Sequence, residues 1–111
     1  MDLAFLVKQL DLAVRCGEDR LDREVSGGHV GDLLSNVMAG SKSGDVWITC
    51  QTHQNIVAVS VLKEHAGIIL IQGRHPDEDT IERASQEGIP ILATELSGFD
   101  IAGRIYALLH P

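Results

Sequence analysis

The stretch GIILIQG, residues 67–73, constrains the fold more than any other. Ile68, Ile69, Leu70 and Ile71 follow one another without polar alternation, so a strand built from them has no side for water. It needs cover on both faces, which places it inside a parallel sheet with helices above and below. The neighbouring segments supply that cover. HPDEDTIERASQEG reads as a helix with Pro76 and three acids in its first turn, where the helix dipole favours negative charge, and with Gly88 closing it. IPILAT is a second buried strand, and Ser97 caps a last helix, GFDIAGRIYALL, whose stripe is Phe99, Ala102, Ile105, Tyr106 and Leu109.

Upstream, DVWITC is a β-branched strand bounded by Gly44-Asp45. NIVAVSVLKEHAG has the Ile and Val content of a strand, but a run from Gln54 to His65 closed by Gly67 suits a helix better, with Lys63 and His65 facing its negative end. In the first third, Leu3, Leu6, Val7 and Leu10 recur at helical spacing, and Leu12, Val14 and Cys16 alternate as in a half-buried strand. REVSGGHVG is extended and interrupted by Gly27 and Gly28, which read as a bulge or tight crossing. Asp32 is placed to N-cap LLSNVMAG, whose stripe is Leu33, Leu34, Val37 and Met38. Strand and helix alternate with short links. The expected class is α/β, a three-layer α/β/α sandwich with a mainly parallel sheet, in one domain over residues 1–111.

Charge and cysteines narrow the partners. Sixteen acids against nine bases give a net charge of −7, and no segment clusters Lys or Arg, which speaks against nucleic acid. No apolar run reaches the roughly 20 residues of a membrane span, and MDLAFLVKQLDL lacks the basic lead and cleavage site of a signal peptide. Cys16 and Cys50 fit neither a C-x-x-C pair nor a disulfide framework, so both are expected to be reduced packing thiols in a cytoplasmic protein.

Ligands of open parallel sheets bind outside the carboxyl ends of the strands. Three loops are expected there: Gln51–Asn55, Gln72–His75 and Thr94–Ser97. Each precedes a helix start, whose free N–H groups favour an anion. The candidate ligand-binding residues are Gln51, Thr52, His53, Asn55, Gly73, Arg74, His75, Thr94 and Ser97. Arg74 is a cation before a helix start, the wrong sign for the dipole. A bound phosphate or carboxylate explains it, and so does pairing with Asp77 or Asp79. Thr52 or Asn55 capping the next helix accounts for most of the QTHQN run, leaving His53 in excess of what a cap needs.

Catalytic patterns are missing: the chain has no G-x-S-x-G, no G-x-x-x-x-G-K-[ST] and no H-E-x-x-H. His53 and His65, near opposite ends of one helix, are about 18 Å apart at 1.5 Å per residue, too far to share a metal. Neither a metal nor a cofactor is expected. Glu95 is the only carboxylate placed to assist His53 or His75 as an acid or base.

DREVSGGHVGDLLSNVMAG, GDVWITCQTHQNIVAV, AGIILIQGRHPDEDTIERASQEGIPIL and LSGFDIAGRIY, taken in register, resemble the DRTGG domain, especially its small stand-alone members. The name-giving letters differ. Where the wider family has Thr-Gly-Gly-Asp-Arg, this chain has Thr49, Cys50, Gln51, Thr52 and His53; where it has Thr-Gly-Gly, this chain has Ile71, Gln72 and Gly73. The resemblance implies a domain without catalysis, similar to the N-terminal domain of HPr kinase/phosphorylase, that accompanies CBS modules in regulated pyrophosphatases. It also implies a homodimer. The expected function is a non-catalytic regulatory and dimerisation module that senses a small anionic ligand, a nucleotide or phosphorylated metabolite, at the strand ends. The alternatives are an adaptor that docks on an enzyme complex and a small enzyme using His53 or His75. Local support for the dimer is the very apolar helix over 55–62.

Overall fold

A computed structural model describes residues 1–111. The elements run α1 (Leu3–Leu10), β1 (Ala13–Cys16), a 3-10 turn (Glu18–Arg20), β2 (Gly27–Val30), α2 (Leu34–Gly40), β3 (Asp45–Thr49), α3 (Asn55–Lys63), β4 (Gly67–Leu70), α4 (Glu78–Glu87), β5 (Ile91–Ala93) and α5 (Gly98–Leu109). They form a three-layer α/β/α sandwich. The five-stranded sheet has the order β1-β5-β4-β3-β2, parallel except for β1, which runs antiparallel to β5.

The layers follow from that order. From β2 to β5 the chain steps one strand at a time in one direction, so crossovers of one hand put α2, α3 and α4 on a single face. Val37, Ile56, Val57, Val59 and Ala84 of those helices bury against Trp47, Ile68, Leu70 and Ile91. The opposite face is closed by α1 and α5, through Leu3, Leu6, Ile101 and Ile105 on Val46, Ile48, Ile69 and Leu92. As the apolar runs require, β3, β4 and β5 are buried at every position.

Several helix ends are set by local signals. Ser97 Oγ accepts from Asp100 N at 3.1 Å, Asp2 caps α1 through Phe5 N, and Gly88 ends α4 at φ +71°. Other expectations need correction. α3 is a helix, but Glu64 in the left-handed conformation ends it, and Gly67 already belongs to β4. His65 does not face the helix terminus. It is fully buried, with Nδ1 3.0 Å from Ser60 Oγ, Nε2 2.9 Å from Ser41 Oγ and the Trp47 ring beside it. Burial in this apolar setting pulls its pKa from 6.5 to about 4. Gly27 and Gly28 form plain parallel ladder with β3, neither bulge nor crossing.

Two stripes are also redrawn. On α5 the buried positions are Ile101 and Ile105, while Phe99 and Tyr106 are exposed. On α2 only Val37 is buried, and Leu33 and Met38 face outward.

Candidate functional site

The three loops at the carboxyl ends of β3, β4 and β5 meet, and main-chain bonds join them. Asp77 N and Thr80 Oγ1 both donate to Thr52 O, at 3.2 and 2.7 Å, tying the loop after β3 to the start of α4. Gln72 N donates to Leu96 O and Gly73 N to Thr94 O, each at 3.0 Å, tying the loop after β4 to the loop after β5. Because α4 and α5 leave neighbouring strands for opposite faces of the sheet, the crevice of this architecture opens between the ends of β4 and β5. Gly73 and Glu95 sit in it.

The turn that enters the crevice is strained. Ile71 O accepts from Arg74 N at 3.1 Å, and the two residues between have φ +58° (Gln72) and φ +70° (Gly73), a type I′ turn. Glycine takes this conformation freely, whereas glutamine does so at about 1–2 kcal/mol. A Cβ on Gly73 would run into the Glu95 carboxylate, so the glycine leaves room for a side chain of this protein and not for open solvent. Backbone strain held at such a crevice is the kind of feature found at ligand clamps and switches.

Asp32 organises the neighbouring floor in a way the sequence did not foretell. It does not cap α2, whose N-cap position is Leu33 with no side-chain bond. Asp32 Oδ1 instead accepts from Thr49 Oγ1 at 2.7 Å and Cys50 N at 2.9 Å, and its carbonyl accepts from Gln51 Nε2 at 3.3 Å. The Cys50 N–H, then the Thr49 hydroxyl, holds the Asp32 carboxyl below the usual carboxylate range, with Arg74 adding to the effect. The capping signal was real, but a buried strand end competed for the same oxygen.

Each candidate residue has a definite place. Arg74 and His75 are exposed, and Arg74 forms no ion pair with Asp77, Asp79 or any other carboxylate within 4.0 Å. That removes the pairing offered to explain it. His53, also exposed, accepts from Asn55 N through Nδ1 at 3.3 Å, whereas neither Thr52 nor Asn55 caps α3, whose N-cap Gln54 has no side-chain bond. Thr94 Oγ1 accepts from Leu96 N at 3.2 Å, and Ser97 caps α5. No hydrogen bond joins Glu95 to either His53 or His75, so no acid/base pair is assembled. Cys16 and Cys50 are unpaired thiols, and burial is the leading cause that raises both above the usual thiol value, so neither is activated.

A separate cavity lies elsewhere. A cleft of about 560 Å³ opens between α5 and the edge strand β2, lined by Gly27, Gly28, Val30, Lys42, Ile105 and Tyr106 among others. Sequence reasoning missed it because strand order, which makes β2 an edge, is not written in any local motif. The pair Gly27-Gly28 was its one visible signal.

Known proteins agree with this architecture. The family model of the DRTGG domain matches residues 5–108. No curated protein matches the chain. Among solved structures, the regulatory region of Clostridium perfringens pyrophosphatase, comprising CBS and DRTGG domains and complexed with its activator diadenosine tetraphosphate, superposes with a TM-score of 0.71 at 18% identity. The match covers 91% of this chain and 44% of that one.

Proposed function

The chain belongs to the DRTGG domain family, and on that premise we propose that residues 1–111 act as one regulatory and dimerisation module, without catalysis of its own, that senses a small anionic ligand at the carboxyl ends of β3, β4 and β5. The observation that carries the ligand reading is Arg74, an exposed guanidinium with no ion pair beside a strained turn where three loops converge on helix starts. Glu95 is exposed and lies against Gly73, so an entering anion would displace this carboxylate on its way to the helix starts of α4 and α5. Gln51, Thr52, His53 and Asn55 provide donors and acceptors along the floor, with His75, Thr94 and Ser97 at the rim. The neighbour's activator, a nucleotide with a polyphosphate, belongs to the class such a site would take.

The test is binding by the purified protein. Thermal shift and calorimetry with nucleotides, acyl phosphates and sugar phosphates should find a ligand whose affinity falls at least tenfold in Arg74→Ala and rises in Glu95→Gln. No shift with any of them, or equal binding by both variants, would sink the ligand half. The adaptor reading rests on the exposed Phe99, Leu33 and Leu62, and a stable complex with a host enzyme that survives Arg74→Ala would favour it. No helix is long and apolar enough to cross a membrane.

A further inference from the structure

The two edges of the sheet are not alike. β1 carries Arg15 and breaks register between Val14 and Cys16, the charge and irregularity with which proteins blunt a free edge. β2, Gly-Gly-His-Val, has no charge, no proline and no irregularity, and no strand lies beyond it. Gly31 N donates inward to Ile48 O at 3.1 Å, so by the alternation of a parallel ladder His29 and Gly31 address β3. The main-chain groups of Gly28 and Val30 therefore point outward. On the α5 face, Gly28 leaves a hole: a Cβ there would meet only Val46, at an ordinary 3.6 Å. That hole belongs to the 560 Å³ cleft under Ile105 and Tyr106, and two residues along the same face Val30 stands 55% exposed at its lip.

We propose that two copies of the chain join through β2, antiparallel about a two-fold axis at His29, with Val30 of each copy filling the hole beside Gly28 of the other. This rests on the dimerisation reading above and supplies its surface and register. Gly28 facing Val30 occurs twice in that pairing, and each such pair exchanges both main-chain bonds, about four in all. Knob and hole on one surface are what a two-fold interface demands. Setting Gly28 opposite Gly28 would face two holes, and Val30 opposite Val30 two knobs. Charge is compatible with a second copy as well. In a chain of net charge −7, the cleft contains a single acid, Asp45, which is 7% exposed and held by Lys42 N at 2.8 Å, so like copies meet there with little repulsion. The joined β2 strands would run both sheets into one.

Sedimentation velocity on the full chain at micromolar concentrations should give twice the monomer mass. Val30→Lys and Gly28→Val should each reduce it to monomer while circular dichroism still shows a folded chain, since Val30 is exposed and a Cβ at Gly28 would meet only Val46. Gly28→Val combined with Val30→Gly should restore the dimer, because knob and hole trade places. His29→Cys in a Cys50→Ser background should form a covalent dimer on oxidation, since residues facing each other at a non-hydrogen-bonded antiparallel position have Cα atoms about 4.5 Å apart. A monomeric wild type overturns this pairing and the dimerisation reading together. A dimer that survives both single substitutions, or fails to cross-link at position 29, keeps the dimerisation reading and overturns the β2 pairing.

Discussion

Lowering the pH should remove a definite portion of this protein's stability through one side chain, His65. Its imidazole is fully buried between Ser60, Ser41 and Trp47, and burial sets its pKa at about 4 against 6.5 in an exposed chain. The Asp45 charge opposes that depression, while His29 and Lys63 reinforce it. The unfolded chain therefore binds one more proton than the folded one between these two values. Stability from this group is complete above pH 6.5, declines as pH falls toward 4, and declines no further below that. At about 1.4 kcal/mol per pH unit per proton, the whole window amounts to about 3 kcal/mol. Against the roughly 5–15 kcal/mol of an ordinary domain, that is a large share. Urea unfolding at pH 7.5, 6.5, 5.5 and 4.5 would measure it, with His65→Gln as the reference. The variant is less stable at neutral pH, because it loses packing and ring hydrogen bonds, but its stability should fall less steeply with acid. Proton NMR of the His65 ring should show no titration until near pH 4. A ring that titrates near 6.5, or equal slopes for the two proteins, would refute the reasoning.

Other substitutions probe the backbone and the loops. Gly17→Ala should cost more than about 2 kcal/mol, because φ is +83° and the new Cβ would lie 2.6 Å from Pro90 Cα, which is backbone and cannot swing aside. Gly103→Ala, in the exposed middle of α5 with nothing within 4 Å, should stabilise by about 0.5–1 kcal/mol. A thermal melt on each would show both signs. Gln72→Gly should raise stability by about 1 kcal/mol by relieving the left-handed turn, and a drop instead would mean the glutamine side chain has contacts of its own. Asp32→Ala should cost about 1–2 kcal/mol by releasing Thr49 Oγ1 and Cys50 N, read by urea unfolding at neutral pH.

The architecture was legible because the aliphatic run of β4, flanked by helical segments, needs cover on both faces, and β3, β4 and β5 are buried at every position. Ser97 and Gly88 were legible because a cap and a left-handed terminus are local chemistry. What failed was what depends on distant partners. Asp32 looks like a cap until the end of β3 arrives to claim its carboxylate. Phe99 and Tyr106 fall on one helical stripe with Ile105, but α5 is rotated so that Ile101 and Ile105 turn inward and the two rings stay outside. His65 looked like a surface cation at a helix end, and two serines far apart in sequence enclose it. The convergence of the three loops was foreseeable from strand polarity. That Glu95 would already lie against Gly73 was not.

The bond from Asp32 to the end of β3 makes one lever of two places. Asp32 closes the loop that leaves β2, and the same carboxylate holds Thr49 and Cys50, the residues that lead into Gln51–Asn55. If an anion settles on that floor and two copies meet along β2, neither event can move Asp32 without altering the other. Their coupling is then reciprocal: the factor by which ligand tightens or loosens the pairing equals the factor by which pairing changes ligand affinity. Dissociation constants measured with and without ligand, and ligand affinities measured above and below the association midpoint, would have to return the same number.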